Sequence, residues 1–232
     1  HWINDALMAI FFFFVTLEIK REFLQGELSN SRQALLPIIA AIGGMIVPAI
    51  FYIYTNYGNS LTLNGWAIPT ATDIAFSLGV LSLLGSRVPI SLKVFLTALA
   101  IIDDLGAIII IAFFYTSDLN VNYLLYLFLT FIGLIILNKF NAKNFLPYLF
   151  LGLILWFFTH ESGIHATISG VLLAITIPHK KTDKDFSLLS KIEHQISPYV
   201  AFGIMPLFAF ANAGVSLDGI NLNSLLSPVP LG

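Results

Sequence analysis

The chain has 232 residues, of which 57% are hydrophobic, 14% aromatic and only 10% charged, and its formal net charge is −2. Soluble domains carry about 25% charged residues, so this composition excludes an ordinary water-soluble enzyme, and it offers a nucleic acid no basic surface. The absence of cysteine from these residues excludes disulfides, thiolate metal sites and cysteine nucleophiles among them. These features indicate a polytopic membrane protein.

Eight apolar segments follow one another along the chain, and each is predicted to cross the membrane as a helix. About 20 apolar residues cover the roughly 30 Å of a bilayer core, and the segments lack the alternation of a membrane β-barrel. We therefore expect an all-α fold in a single transmembrane domain over residues 1–232. The predicted spans are Asn4–Ile19, Ala34–Tyr54, Trp66–Leu84, Val94–Phe114, Val121–Leu137, Phe145–Phe158, Gly163–Ile177 and Pro198–Gly214.

The basic residues support this count, because all 11 of them fall in alternate connections between the predicted spans. The positive-inside rule assigns these connections to the cytoplasm, and adding or removing one span would break the alternation. The chain also begins inside a hydrophobic segment on His1 rather than on methionine, so we expect a fragment of a longer protein. The basic residues are Lys20, Arg21, Arg32, Arg87, Lys93, Lys139, Lys143, Lys180, Lys181, Lys184 and Lys191.

Three aspartates, Asp73, Asp103 and Asp104, lie near the middle of predicted spans. A charge at that depth costs roughly 2.5–3.5 kcal/mol on insertion scales, and no Lys or Arg occurs within the predicted spans to neutralise it. One interpretation is that the carboxyl groups are protonated or hydrogen-bond neighbouring helices. The other is a cation or proton site in a water-filled cavity, which three such residues favour.

Asp103 and Asp104 are adjacent on a predicted helix, so their side chains point about 100° apart. Repulsion and desolvation raise the pKa of at least one member of such a pair, and the two titrate together. Oxygen ligands suit a small hard cation. Competition between a proton and such a cation for the two carboxylates is the minimal chemistry of an antiporter.

The span that carries Asp73 is predicted to be discontinuous. Pro69 removes a backbone donor and disfavours helix at Ile68, and the hydroxyls of Thr70 and Thr72 can satisfy freed backbone groups. Broken helices occur near the ion sites of transporters. A merely kinked helix is the alternative.

Four motifs make the chain resemble the NhaA-type bacterial sodium–proton antiporters: Thr70–Phe76, Gly85–Pro89, Ala100–Ala107 and Pro206–Gly214. The resemblance runs over the whole chain from Trp2. It implies an NhaA-like fold with about eight of the family's twelve helices, including one discontinuous helix. The first helix and the last three would then be missing, together with a lysine that pairs with the carboxylate matching Asp103.

The resemblance also implies roles for single residues. Asp104 matches the main carboxylate for cation and proton, Asp103 matches its neighbour, and both would ligate Na⁺. Thr72 and Asp73 match positions at the break in the discontinuous helix, where the family's broken helices cross. The positions linked to pH response are Glu18, Arg21, Glu22, His165, Glu193 and His194.

The residues alone leave other interpretations of these pH-response positions open. The charges at Glu18, Arg21 and Glu22 could be interfacial side chains that snorkel to water. His165 could be a packing histidine with a satisfied hydrogen bond, and Glu193 and His194 could belong to a solvated loop.

The function expected from the resemblance is a pH-regulated Na⁺(Li⁺)/H⁺ antiporter that exports cytoplasmic Na⁺ in exchange for external protons. It would lie in the bacterial inner membrane in contact with lipid, would bind no nucleic acid, and would form a homodimer when intact. It would be no enzyme and would need no cofactor. A passive cation channel is an alternative, and an intramembrane aspartyl protease is a weaker one, because its Gly-x-Gly-Asp signature does not occur.

Small residues also repeat every four positions in one predicted span, at Ser162, Ala166, Gly170 and Ala174. Such a stripe lets two helix backbones approach closely in a membrane. We therefore expect a tight helix–helix contact along it.

Overall fold

The computed structural model describes residues 3–29, 31–70, 81, 83–84, 87–116, 119–179, 187–214 and 227–231. All regular secondary structure in these ranges is helical, as predicted. In chain order the α-helices are α1 (Met8–Gln25), α2 (Ser31–Thr55), α3 (Ser60–Leu63), α4 (Ile90–Phe114), α5 (Val121–Lys139), α6 (Leu146–Glu161), α7 (Ile168–Thr176), α8 (Leu188–Tyr199), α9 (Met205–Asn212) and α10 (Pro228–Leu231).

Three of these helices are long and apolar enough to cross a bilayer. They contain the stretches Ala34–Thr55, Ser91–Phe114 and Val121–Lys139, and α6 is a shorter apolar helix. Many of their large side chains are exposed, for example Phe51, Phe113 and Phe128. Exposed phenylalanines on an apolar helix are what a lipid-facing surface requires.

The chain divides into two units, and the first comprises residues 1–24 and 111–214. Its core lies where α5, α6 and α7 pack on one another, with contributions from α1 and α8. The link between α5 and α6 is short, which places the two helices side by side. The buried side chains of this core are Phe13, Leu17, Leu134, Tyr148, Leu155, Leu173, Ala174, Ile177, Leu189 and Ile192.

The small-residue stripe forms the close contact that its spacing predicts. Ser162, Ala166, Gly170 and Ala174 are all buried. A Cβ atom built on Gly170 would collide with the carbonyl oxygen of Ala9 and lie 2.9 Å from the amide nitrogen of Phe13. Glycine is therefore required at this position because the backbones of α1 and α7 touch there.

Several helix boundaries in the first unit differ from the predicted spans. The predicted span Gly163–Ile177 contains α-helix only over the nine residues Ile168–Thr176, because turns precede it and Gly163 has a φ of 87°. Nine residues rise only about 14 Å, half a bilayer core. Conversely, α1 continues to Gln25, beyond the predicted end at Ile19.

The residues before Pro198 are helical rather than a solvated loop. Helix α8 begins after Ser187, whose side chain accepts a hydrogen bond from the Ser190 amide at 3.2 Å. It runs through the π-helical turn Val200–Ile204 into α9. The loop alternative for Glu193 and His194 is therefore wrong. Helix α8 is amphipathic, so its many polar residues hid it from a search for continuous apolar segments.

The second unit comprises residues 25–110 and 215–232. Within it, α2 contacts the 3₁₀ turn Ile68–Thr70 and the short helix α10. The amide of the buried Asn56 donates to the Pro228 carbonyl at 2.9 Å, which joins the end of α2 to the C-terminal segment. A Cβ atom on Gly106 of α4 would meet the thioether of Met45, so the Met45 side chain of α2 packs against α4 at this glycine.

The predicted span Trp66–Leu84 does not begin as an α-helix. Turns and the 3₁₀ segment Ile68–Thr70 occupy its start, where Pro69 disfavours α-helix. The Thr70 hydroxyl donates to the Ala67 carbonyl at 2.7 Å, in the way predicted for threonines beside a helix break. Residues 71–80 lie outside the described residues, so the discontinuous helix itself stays a prediction.

Replacing Tyr148 by Phe is expected to leave the stability of the protein unchanged or to raise it. Tyr148 is fully buried in the first unit, and its hydroxyl has no hydrogen-bond partner among the described residues. Removing an unpaired buried polar group relieves a penalty of about 1–3 kcal/mol. Thermal unfolding in detergent measures the effect.

Tyr52→Phe is the matched control, because the Tyr52 hydroxyl donates to the Thr62 carbonyl at 2.9 Å. That substitution should lower the melting temperature through loss of a hydrogen bond worth about 1 kcal/mol. Equal destabilisation by both substitutions would show that the Tyr148 hydroxyl is satisfied after all.

Candidate ion-exchange site and charged cluster

Asp103 and Asp104 lie in the middle of α4, in the second unit. Asp103 is buried with 5% of its surface exposed, whereas Asp104 is half-buried. The difference follows from their adjacency, because successive side chains on a helix point about 100° apart. The two carboxyl groups therefore face different surroundings although their backbones are neighbours.

The residues that precede this pair on α4 are apolar. Ala100, Ile101 and Ile102 precede the aspartates and are buried. Gly106 lies one turn after Asp103, and the contact with Met45 occurs there. Carboxyl groups in such surroundings must be protonated, paired or bound to a cation, because an isolated charge is strongly disfavoured.

The structure does not test the other predicted ligands. Thr72 and Asp73 lie outside the described residues. Within the described ranges, no group of three or more His, Asp or Glu side chains is arranged to hold a metal ion. The role of Asp103, Asp104, Thr72 and Asp73 in binding Na⁺ therefore stays a prediction.

In the first unit, α1 and α8 are joined by a charged cluster, which we define as Glu18, Arg21, Glu22 and Glu193. The Arg21 Nε lies 2.9 and 3.0 Å from the two carboxylate oxygens of Glu193, and Arg21 Nη1 lies 2.7 Å from Glu22. Glu18 is near enough to interact electrostatically with the other three members. Four of the six predicted pH-response residues thus meet at one place.

Three carboxylates surround the single guanidinium of the cluster, and this arrangement acts on its pKa. Burial by itself would lower the pKa of Arg21, but the hydrogen bond to Glu193 and the charges of all three glutamates raise it above its usual value. Arg21 therefore stays charged at every physiological pH.

The two predicted histidines do not join the charged cluster by any contact that the structure records. His165 precedes the N-terminal end of α7, where its Nδ1 lies 2.8 Å from the Thr167 hydroxyl and where it interacts electrostatically with Asp5. His194 is exposed on α8. The hydrogen bond to Thr167 fits the interpretation of His165 as a packing histidine with a satisfied ring.

Sequence reasoning missed Lys20, which it used only as a marker of topology. The Lys20 ammonium donates to the carbonyl oxygens of Ile175 and Ile177 at 2.5 and 2.6 Å, and Ala174 O lies 3.5 Å away. These carbonyls belong to the C-terminal end of α7. The sequence could have indicated this contact only through the end of α7, whose last carbonyls need hydrogen-bond donors. That signal is weak, since unpaired carbonyls occur at every helix end.

Replacing Glu193 by Gln is expected to lower the melting temperature of the full-length protein by about 1–2 °C. That shift corresponds to loss of about 1 kcal/mol, a value reduced for screening because the Arg21 side chain is 34% exposed. The difference from the parent should shrink at high salt. Thermal unfolding in detergent at low and high ionic strength tests both statements.

Glu161→Gln provides the control, because Glu161 also pairs with a neighbour, His160, but is 39% exposed. Its removal should change the melting temperature little at either ionic strength. If Glu193→Gln behaved in the same way, the charged cluster would contribute nothing to stability.

The sequence matches the family described as Na⁺/H⁺ antiporter 1 over residues 1–232, the whole chain. The chain belongs to this family. It is 74% identical over 232 residues to "Na(+)/H(+) antiporter NhaA" of Pelagibacter ubique, and the alignment covers all of this chain and 60% of that protein. It is 58% identical over 234 residues to the protein of the same name in Nitrobacter hamburgensis, covering all of the chain and 57% of the relative.

A third relative in the Na⁺/H⁺ antiporter 1 family gives the same result: "Na(+)/H(+) antiporter NhaA 2" of Pseudomonas syringae pv. tomato is 60% identical over 232 residues, with all of the chain and 59% of that protein covered. The chain thus spans about 60% of the length of these relatives. The family and the long apolar helices together identify an all-α, multi-pass membrane protein.

Proposed function

We propose that the protein to which this chain belongs exchanges Na⁺ for H⁺ across the bacterial inner membrane, and that it exports Na⁺ from the cytoplasm. The observation that carries the proposal is the pair Asp103 and Asp104, one buried and one half-buried, within an apolar helix long enough to cross a bilayer. The family and the names of three relatives support the same activity.

The carboxylate pair supplies the chemistry of exchange. With both groups ionised, their repulsion is relieved when either a proton or a cation binds, so the two ligands compete for the same oxygens. Na⁺ or Li⁺ is a hard ion that carboxylate and hydroxyl oxygens suit. Asp104 would carry the exchange, with Asp103 and Thr72 as further ligands, and Asp73 would balance the dipoles of the helix ends and assist the cation.

Exchange requires that the occupied site faces one side of the membrane at a time. Na⁺ would bind deprotonated Asp104 from the cytoplasm and leave to the outside, and the site would return with protons. No enzymatic step and no cofactor is involved. The charged cluster would adjust this cycle to pH, and the intact protein would act as a homodimer.

Proton movement in everted membrane vesicles that contain the full-length parent protein tests the proposal. Respiration acidifies the vesicle lumen, and added Na⁺ or Li⁺ should then release protons from it. A matched addition of K⁺ is the control. Entry of Na⁺ without proton release would instead identify a passive channel, and no response to either ion would contradict the proposed exchange.

A further inference from the structure

The C-terminal end of α7 is held by a side chain from another helix. Helix α7 ends at Thr176, and Ile177 has extended backbone angles, φ −64° and ψ 125°, so the last carbonyls have no continuing turn to bond. Lys20 of α1 donates to two of them, Ile175 and Ile177, at 2.5 and 2.6 Å. A cation at this end of a helix also complements the helix dipole.

The two adjacent cations of α1 have different partners. Lys20 bonds backbone carbonyls of α7, whereas Arg21 bonds the carboxylates of Glu22 and Glu193, the latter on α8. Neighbouring residues on a helix point about 100° apart. Helix α1 is therefore held in two directions at the same level, by α7 through Lys20 and by α8 through Arg21.

We propose that Lys20 is a positioning residue for the charged cluster: by holding α1 against the end of α7, it fixes the rotation of α1 at which Arg21 meets Glu193. Packing of Phe13 and Leu17 in the core and the backbone contact at Gly170 hold the earlier part of α1. Without the Lys20 contact, the end of α1 that carries Arg21 is held less firmly. A rotation of this end moves Arg21 away from the geometry in which one Nε reaches both carboxylate oxygens.

The charges around Lys20 favour this role over that of an ordinary ion-pair partner. The carboxylates of Glu18, Glu22 and Glu193 all interact with Arg21, and the recorded hydrogen bonds of Lys20 go to carbonyl oxygens. Burial lowers the pKa of Lys20 to about 8, so its ammonium form still predominates at neutral pH. Charge-assisted hydrogen bonds to the carbonyls favour that form.

A double-mutant cycle on the full-length protein tests the proposal through stability. The variants are Lys20→Met, Glu193→Gln and their combination, and the measurement is the melting temperature in detergent. Lys20→Met should lower it by about 2–4 °C. If Lys20 positions Arg21, Glu193→Gln should have a much smaller effect in the Lys20→Met background than in the parent, because contacting residues that act together are not additive.

The control cycle uses Lys139→Met in place of Lys20→Met. Lys139 is an exposed lysine in the last turn of α5. Lys139→Met should leave the melting temperature nearly unchanged, and its effect should simply add to that of Glu193→Gln. Full additivity of Lys20→Met with Glu193→Gln would overturn the proposal. An unchanged melting temperature in Lys20→Met would overturn it as well.

A second readout distinguishes positioning from simple capping, and it rests on the proposed function. Lys20→Met should shift the pH profile of Na⁺/H⁺ exchange in the same direction as Glu193→Gln, and Lys20→Arg, which keeps a charged donor, should restore the parental profile. A lower melting temperature with an unchanged pH profile would overturn the positioning role. Absence of exchange in the parent itself would contradict the proposed function, while the stability cycle would still decide the role of Lys20.

Discussion

Replacing Asp104 by Asn in the full-length protein is expected to abolish Na⁺-driven proton release from everted vesicles. Asparagine is nearly the same size, but it has no proton to exchange and no negative charge to offer a cation. If Asp104 carries both ligands in turn, no part of the cycle can proceed without its carboxylate. The expected signal equals that of vesicles without the antiporter.

Two further variants make the Asp104 result specific. Asp104→Glu keeps the carboxylate and displaces it by one methylene, so some exchange should remain. Glu161→Gln removes a carboxylate that is exposed and paired with His160, and it should exchange at the parental rate. Quantifying each variant in the membrane excludes loss of protein as the cause. Normal proton release by Asp104→Asn would show that the ion-exchange site lies elsewhere.

Replacing Gly170 by Ala is expected to cause the largest loss of stability among the substitutions discussed. The added methyl group meets backbone atoms of α1, the Ala9 carbonyl and the Phe13 amide. Backbone atoms cannot rotate away as a side chain can, so α1 and α7 must separate. Overpacking of this kind typically costs about 1–3 kcal/mol and occasionally more, which lowers the melting temperature by several degrees.

Gly133→Ala is the control for Gly170→Ala. Gly133 lies inside α5, and its added Cβ would have only an ordinary contact of 3.6 Å with the Leu151 side chain. Alanine is favoured over glycine in a helix by about 1 kcal/mol, so this variant should melt at the parental temperature or above it. Equal behaviour of the two alanine variants would show that α1 and α7 are not in backbone contact.

Much of the fold follows from the sequence because lipid permits few alternatives. Long apolar runs such as Val121–Leu137 can only be helices in a bilayer, and the helix found there ends only two residues later, at Lys139. Predictions were less accurate where a helix is polar. Helix α8 is amphipathic and carries Lys191, Glu193 and His194, so hydrophobicity alone placed its residues in a connection.

The candidate sites were predictable only in part. The aspartates of α4 are conspicuous in any sequence, because charged residues are rare at mid-membrane depth. The pairing of Arg21 with Glu193 joins residues 172 positions apart. The family resemblance assigned both residues to a pH response but did not predict their contact. The contact between Lys20 and α7 involves backbone carbonyls, which every residue possesses, and no side-chain pattern in the sequence indicates it.

The π-helical turn Val200–Ile204 between α8 and α9 has a consequence for Glu193. A π-helical turn takes up more residues than an α-helical one, so the turn sets the angular phase between the polar helix before it and the apolar helix after it. If the orientation of α9 is held fixed, the direction in which Glu193 points depends on the number of residues in Val200–Ile204. Glu193 faces Arg21 only when this uncharged segment has its present length. Gaining or losing a single residue there would rotate the carboxylate by about 100°. The number of residues in the turn thus matters more to the charged cluster than their identity.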